Sequence, residues 1–571
     1  MKVIVHSMTR ARQSELANAH ILDLTHQLRD AKIQRNALTA ISSLPDELLS
    51  RIMFEYAVEM DIFSNRWFGI LVVCHRWYEV ASSHAQLWSF VDATYKGVET
   101  WDRINRSKGY PLTCVFKSIH NGSAVHDVLQ EHGRRVRSLT FSASNSEEVQ
   151  LALKDIDSLP ILETLSVRWW GEESYTLPVF VLHGGAPLLR NIRLDGLNFS
   201  DWGSLSNLTE LTLDQFPDDC PKPTMDELLF ALERSPRLRC LKLLSCFPLS
   251  PHTTILGPIA LPCLECIELS GFLDPLNTFF RSIALPATTA MRITLFDCPE
   301  PRTLSKLLVP IRLHLHKSEA PTLRSLHISG DFHYNFVIVA DTAVPARSPL
   351  ALENPKFVLV VHPQSQGIAR KVFTRVLDAL PLESATYLDL SLFEHSDRRP
   401  TSKTLCVVFQ HIPRAEVVRV KVNEGMLTIV EGLTDAVRRG KRGRWGAKRR
   451  LAAKGIRWPN QLQLQDSISG GMSVGAMLQK DRRLSELETL FSEYKAMDVL
   501  FKPSGVPWGT LDWTHVQDSL FVWRHVEELY PLVGKLLVNG KSWNPVSWKK
   551  TSKEDRKQIA AKHDLLILSE D

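Results

Sequence analysis

One spacing recurs through the middle of this chain: an apolar residue, a second three positions on, and a third two positions after that. It appears as Leu162-Leu165-Val167, Leu189-Ile192-Leu194, Leu208-Leu211-Leu213, Leu238-Leu241-Leu243, Leu264-Ile267-Leu269 and Leu323-Leu326-Ile328. Weaker copies are Val136-Leu139-Phe141, Ala290-Ile293-Leu295, Ala385-Leu388-Leu390 and Ala415-Val418-Val420. The apolar run Phe357–Val361 fits the gap between two of them. The centres fall at 139, 165, 192, 211, 241, 267, 293, 326, 359, 388 and 418, about 28 residues apart on average but irregular. Self-similarity at such a period means stacked units, none of which buries its apolar face alone.

Strand periodicity explains the pattern. Side chains of a strand alternate between faces, so the second and third apolar residues point to one side. Their neighbours then point to an open face: Thr164, Ser166 and Arg168; Asn191, Arg193 and Asp195; Glu210, Thr212 and Asp214; Cys240, Lys242 and Leu244; Cys266, Glu268 and Ser270; Ser325, His327 and Ser329. Several copies open on a proline, as in SLPILETL and LPCLECI, which marks the loop before a strand because proline is excluded from central strands. Met225–Ser235 (MDELLFALERS) has helical patterning between two copies. One strand and one helix per unit predict an α/β solenoid; a propeller needs more strands per unit and no helices. The pattern resembles the leucine-rich repeat, which implies an irregular horseshoe over residues 130–465. Its open face would contact a protein substrate through Arg168, Arg193, Asp195, Asp214, Lys242, Glu268 and His327. Trp169, Trp170, Phe216 and Phe272, near strand ends, are either further anchors or closures of the repeat core.

Ahead of the repeats stand two apolar helical stretches. In ISSLPDELLSRIMFEYAVE, Ser43 or Asp46 is placed to cap a helix near Pro45, and Leu48, Leu49, Ile52 and Met53 read as one apolar face. Trp67–Tyr78 reads as a second apolar helix, followed by Leu87 and Trp88. About 45 residues with so many large apolar side chains cannot hide them all internally, so a surplus must face a neighbour. This stretch resembles an F-box. Leu44, Pro45, Glu47, Leu48, Leu49 and Ile52 match its first half; Val73, Cys74, Trp77, Leu87 and Trp88 match its second. The loop Met60–Asn65 is longer than in many F-boxes. The resemblance implies a small all-α module, residues 41–95, that docks a Skp-type adaptor and, through it, a cullin. Leu44, Pro45, Leu48, Leu49, Ile52, Val73, Cys74, Trp77 and Trp88 would form the docking set.

The two resemblances together imply a non-catalytic substrate-recognition subunit of a Skp-cullin-F-box type ubiquitin ligase. Rival readings are a binding scaffold without ligase partners and, more distantly, a repeat-type regulator of a GTPase. No nucleophile elbow, phosphate loop, HExxH or paired-carboxylate pattern is present in the 571 residues, so no catalytic residue, cofactor or metal is expected. Cys263-x-x-Cys266 lacks a second such pair and a histidine at finger spacing; Cys240 and Cys266 hold equivalent repeat positions, which points to structural placement. His314 and His316 read as surface histidines at strand spacing.

Residues 1–40 contain a helix from about Ser14 to Leu38, with Leu24, Leu28, Ala31 and Leu38 in one stripe broken by Arg35. It either packs on its own protein or pairs with a partner helix. No run approaches the roughly 18 apolar residues of a membrane span, and MKVIVHSMTR carries no secretory pattern; with nine cysteines in no paired framework, cytoplasm or nucleus is expected. The net charge of +5 is local in origin: between Asp435 and Arg457 ten Lys/Arg face one Asp. The run Arg438–Arg450 reads as a solvated loop, a nuclear-localisation or anionic-surface patch, or a nucleic-acid contact. Trp445 is its one interleaved aromatic, too few for a stacking platform, so nucleic acid is not an expected partner. Residues 466–571 are expected to cap the array and end in a charged tail.

Overall fold

The computed structural model describes residues 2–94, 97–117, 122–156, 158–171, 176–177, 185–199, 202–214, 222–248, 253–254, 257–298, 301–330, 335–344, 355–363, 366–390 and 402–421, with strand segments at 461–465, 508–514, 533–538 and 541–543. The basic run Arg438–Arg450, Phe216 and the charged tail lie outside the described residues. The chain divides into two units, Met1–Glu210 with Gln215–Pro221, and Leu211–Asp214 with Lys222–Asp571.

The first unit opens with α1, Lys2–Ala37. Its apolar residues Leu16, Ile21, Leu24, Leu28 and Ile33 are exposed, so among the described residues nothing covers the expected stripe. Next come α2 (Asp46–Glu59), a 3-10 turn (Arg66–Val72), α3 (His75–Ser83) and α4 (Ala85–Trp88). Pro45 holds the N-cap position with no side-chain cap; the Ser43 hydroxyl donates to the Ala40 carbonyl, and Asp46 sits inside the first turn, where an acidic group suits the helix dipole. The expected second helix is broken: the tighter turn ends at Val73, and α3 starts after an extended Cys74. Leu49, Met53, Trp67, Ile70, Leu87 and Trp88 make the core of these helices. The Trp67 and Trp88 rings meet edge-on at 5.2 Å, and both indole N–H groups donate to carbonyls, of Ile62 and Ala81.

The unit continues through β1 (Phe90–Asp92), α5 (Val98–Arg106), β2 (Leu112–Phe116), α6 (Gly122–His132), β3 (Val136–Ala143), α7 (Ser146–Leu153), β4 (Thr164–Trp169), β5 (Thr176–Leu177), β6 (Asn191–Asp195) and β7 (Asn198–Phe199). Strands β1, β2, β3, β4 and β6 pair in that order, all parallel. The sheet thus starts two strands before the first sequence copy. In β2 and β4 burial alternates residue by residue, as the repeat spacing requires. Parallel strands alternating with helices match the solenoid expectation and exclude antiparallel propeller blades. Arg103 of α5 ties the helices to the sheet: its buried guanidinium donates to the carbonyls of Ile62, Ser64 and Phe90 and to Asn65 Oδ1, and it lies 5.5 Å from the Trp67 ring centre.

Strand β8, Glu210–Asp214, leads into the second unit. There follow α8 (Met225–Glu233), β9 (Cys240–Leu244), β10 (Ile259–Ala260), β11 (Cys266–Gly271), α9 (Leu273–Arg281), β12 (Ile283–Ala284), β13 (Ala290–Cys298), α10 (Pro301–Leu315), β14 (Ser325–Gly330), β15 (Phe336–Asp341), β16 (Phe357–Pro363), α11 (Gln366–Ala379), β17 (Tyr387–Asp389), α12 (Ser402–His411), β18 (Val417–Lys421), β19 (Gln461–Gln465), β20 (Trp508–Thr514), β21 (Val533–Val538) and β22 (Lys541–Trp543). Helix α8 has a complete capping box: Thr224 Oγ1 accepts from the Glu227 N–H, and Glu227 accepts from the Thr224 N–H.

Strand order here departs from chain order. β9, β11, β13 and β16 pair parallel; β16 and β14 both flank β15 antiparallel; β14 then resumes the parallel series with β17, β18, β19, β20 and β21. The copy at Leu323–Ile328 is therefore not beside the copy at Ala290–Leu295. A hairpin closes β14 onto β15, and Gly330 stands there at φ +103°, where an added Cβ would lie 2.5 Å from the Asn335 carbonyl. Across this break Lys356 is buried and donates its ammonium to the carbonyls of Ala287 (2.9 Å) and Thr289 (2.5 Å). Burial pulls that ammonium down to about 8. His314 lies in α10, not in a strand, and is buried; burial and the nearby Lys356 pull it down to about 4.

Candidate docking surfaces

Helix α2 carries two apolar stripes about one residue apart in phase. Leu49, Met53 and Ala57, at four-residue steps, are buried in the helical core. Leu48 and Ile52, one position earlier in the same rhythm, are 50% and 47% exposed. They line an open groove with Leu44, Tyr56 and Val58, rimmed by Arg51, Glu55 and Glu59. Burying one such Leu or Ile against a partner stabilises a contact by about 1.5–3 kcal/mol. The groove suits an apolar partner surface with charges at its edge.

Arg76, which sequence reasoning passed over, positions one wall of this groove. Its guanidinium donates to the carbonyls of Ser42 and Leu44, each at 2.5 Å, and pairs with Asp46 at 2.6 Å. The segment carrying Leu44 and Pro45 is thereby held against α3. The signal that was available is the acidic Asp46 at the start of α2 facing a basic residue in the first turn of α3.

The expected docking residues separate by burial. Leu48, Ile52, Pro45 and Val73 are exposed, and Leu44, Cys74 and Trp77 are half-buried. Val72, absent from the expected set, is 85% exposed beside Val73. Leu49 and Trp88 are a correction: both are buried in the helical core, so they hold the groove's shape from beneath and offer no contact surface.

The sheets present polar rows. In the first unit Thr164 and Asn191 are register partners; the Asn191 amide donates to Thr164 Oγ1 at 3.3 Å, and the Thr209 hydroxyl donates to Asn191 Oδ1 at 2.6 Å. Two residues along, Arg193 is exposed beside Ser166. Arg168 then pairs with Asp195 at 2.9 Å and stacks over the Trp170 ring at 5.3 Å. Trp170 is 63% exposed, whereas Trp169 is buried. Asp195 is buried under Arg168, so the guanidinium, not the carboxylate, is the accessible group of this pair.

In the second unit the corresponding row is Lys242, Glu268 and Arg292. Glu268 stands between the two cations, 3.2 Å from Lys242 and 3.5 Å from Arg292. Phe272 is exposed and meets Phe296 edge-on, and Phe296 in turn lies 6.0 Å from the His362 ring. Asp214 is half-buried in β8. His327 is a second correction. It is 3% exposed, 3.6 Å from Asp389, because β14 is buried on both faces and hides side chains of either parity. No group of three or more His, Cys, Asp or Glu residues is arranged to hold a metal among the described residues.

No family model matches the chain, and no curated protein matches it. Among solved structures it is similar to the leucine-rich repeat-containing protein LegL7 from Legionella pneumophila, at 12% identity and a TM-score of 0.25, over 68% of this chain and 97% of that one.

Proposed function

We propose that this chain is the substrate-recognition subunit of a Skp-cullin-F-box type ubiquitin ligase, acting in the cytoplasm or nucleus. In this reading residues 41–95 are the F-box and the repeats hold a protein substrate on their polar rows. Ubiquitin transfer belongs to partner enzymes, and this chain contributes positioning. One observation carries the reading: α2 spends one apolar stripe on its own core and turns a second, Leu48 and Ile52, outward over a groove pinned by Arg76. A helix of a self-contained module keeps a single apolar stripe, so the second one supports a partner.

The test is co-purification. The full chain, mixed with purified Skp-type adaptor and cullin, is expected to elute with both in one complex. A Pro45→Ala/Leu48→Asp variant, folded by circular dichroism, is expected to elute alone. Failure of the native chain to retain adaptor would overturn the ligase reading and leave the plain protein-binding scaffold.

A further inference from the structure

Cys240 and Cys266 face each other across β9 and β11 as register partners, and their Sγ atoms lie 2.8 Å apart. Two thiols in van der Waals contact stand farther apart than this, and a disulfide is about 2.05 Å long. No disulfide joins them. Both side chains are half-buried on the open face of the sheet, with the Lys242–Glu268 pair on the next rung, so a small oxidant reaches them without unfolding. The other described cysteines of this unit differ. Cys246 and Cys406 are fully buried, and burial pushes the Cys246 thiol far up, which makes it inert. Cys263 is exposed in the loop before β11 and is the accessible competitor among the described cysteines of this unit.

We propose that Cys240 and Cys266 form a reversible redox pair that a peroxide closes into a cross-strand disulfide. One thiolate attacks a peroxide oxygen, the O–O bond breaks, and a sulfenic acid forms with release of hydroxide. The second thiolate attacks that sulfur; the S–S bond forms, the S–O bond breaks, and water leaves after protonation. The pair loses two electrons and the peroxide gains them, so one hydrogen peroxide yields two water molecules. A thiol such as glutathione reverses the step by exchange. In the sheet, parallel neighbours directly opposite each other lie within the Cα separation that disulfides tolerate, so closure asks for a side-chain shift and no change of register.

The flanking residues make the test direct. Arg239 and Lys242 bracket Cys240, and Glu265 and Glu268 bracket Cys266, so cleavage after Lys, Arg and Glu isolates each thiol on its own tripeptide, away from Cys246 and Cys263. The full chain is treated with hydrogen peroxide, alkylated without reduction, digested and analysed by mass spectrometry. The expected product is the Cys240–Lys242 peptide linked to the Cys266–Glu268 peptide, two hydrogens lighter than the sum and separated by dithiothreitol. Cys263→Ser is expected to keep the link, and Cys240→Ser to abolish it. The proposal is overturned if both thiols remain alkylatable after peroxide, if each is oxidised alone to the sulfinic acid, or if either bridges to Cys263 instead.

Discussion

Arg103 shows how much one side chain carries here. A charged guanidinium taken out of water is tolerated because its donors meet carbonyls from the loop before the 3-10 turn and from the first strand. Truncation leaves those carbonyls buried without a donor, so Arg103→Ala is expected to cost about 2–4 kcal/mol in urea unfolding, with Arg103→Lys recovering only part of it. His314 gives a pH dependence with a fixed sign. Its folded value, about 4, lies below the unfolded 6.5, so between these values the unfolded chain binds more protons. Stability from this residue is complete above pH 6.5 and is lost as pH falls through about 4. Melting temperature measured across that window is expected to fall more steeply for the native chain than for His314→Gln. The residues that sequence reading misplaced share one cause. Leu49, Trp88, Asp195 and His327 have side chains of the right type at the right spacing, but burial depends on what packs over them.

At the scale of elements, the repeat spacing located its strands well because it encodes a local fact, which residues of a strand share a face. The copies from Val136 to Val420 are all strands. Strand β2 alternates just as well but lacks the leucine spacing, and β15 has no flanking helix, so neither was legible. The order β13, β16, β15, β14 was invisible for a different reason: a spacing records periodicity within a strand and says nothing about which strand lies alongside. The local sign of the break is Gly330, and Gly330→Val is expected to destabilise the chain by at least 1–3 kcal/mol through backbone strain at the hairpin, measurable by thermal unfolding. The helical stretches misled by phase. Leu48 and Leu49 are neighbours in sequence but about 100° apart around α2, so one faces out and the other in. Arg76→Ala is expected to leave overall helicity unchanged while raising hydrogen exchange at Leu44–Leu49, because the guanidinium holds that segment's carbonyls.

The molecule carries two kinds of surface: a compact apolar groove on helices that have their own core, and polar rows on parallel strands. The first suits an apolar partner surface, since covering Leu48 and Ile52 would remove apolar area from water. The second is suited to selective contact, since paired groups such as Arg168–Asp195 and Lys242–Glu268 are already satisfied and exchange partners at little net gain. The proposed function requires that the groove on α2 bind a Skp-type adaptor. The most direct measurement is a calorimetric titration of the full chain, and of Leu48→Asp/Ile52→Asp, with purified adaptor. Native binding weakened at least about thirtyfold in the variant, a loss of about 2 kcal/mol with the fold intact, is the predicted result. Equal affinity in the two proteins, or no heat from the native chain, would contradict it.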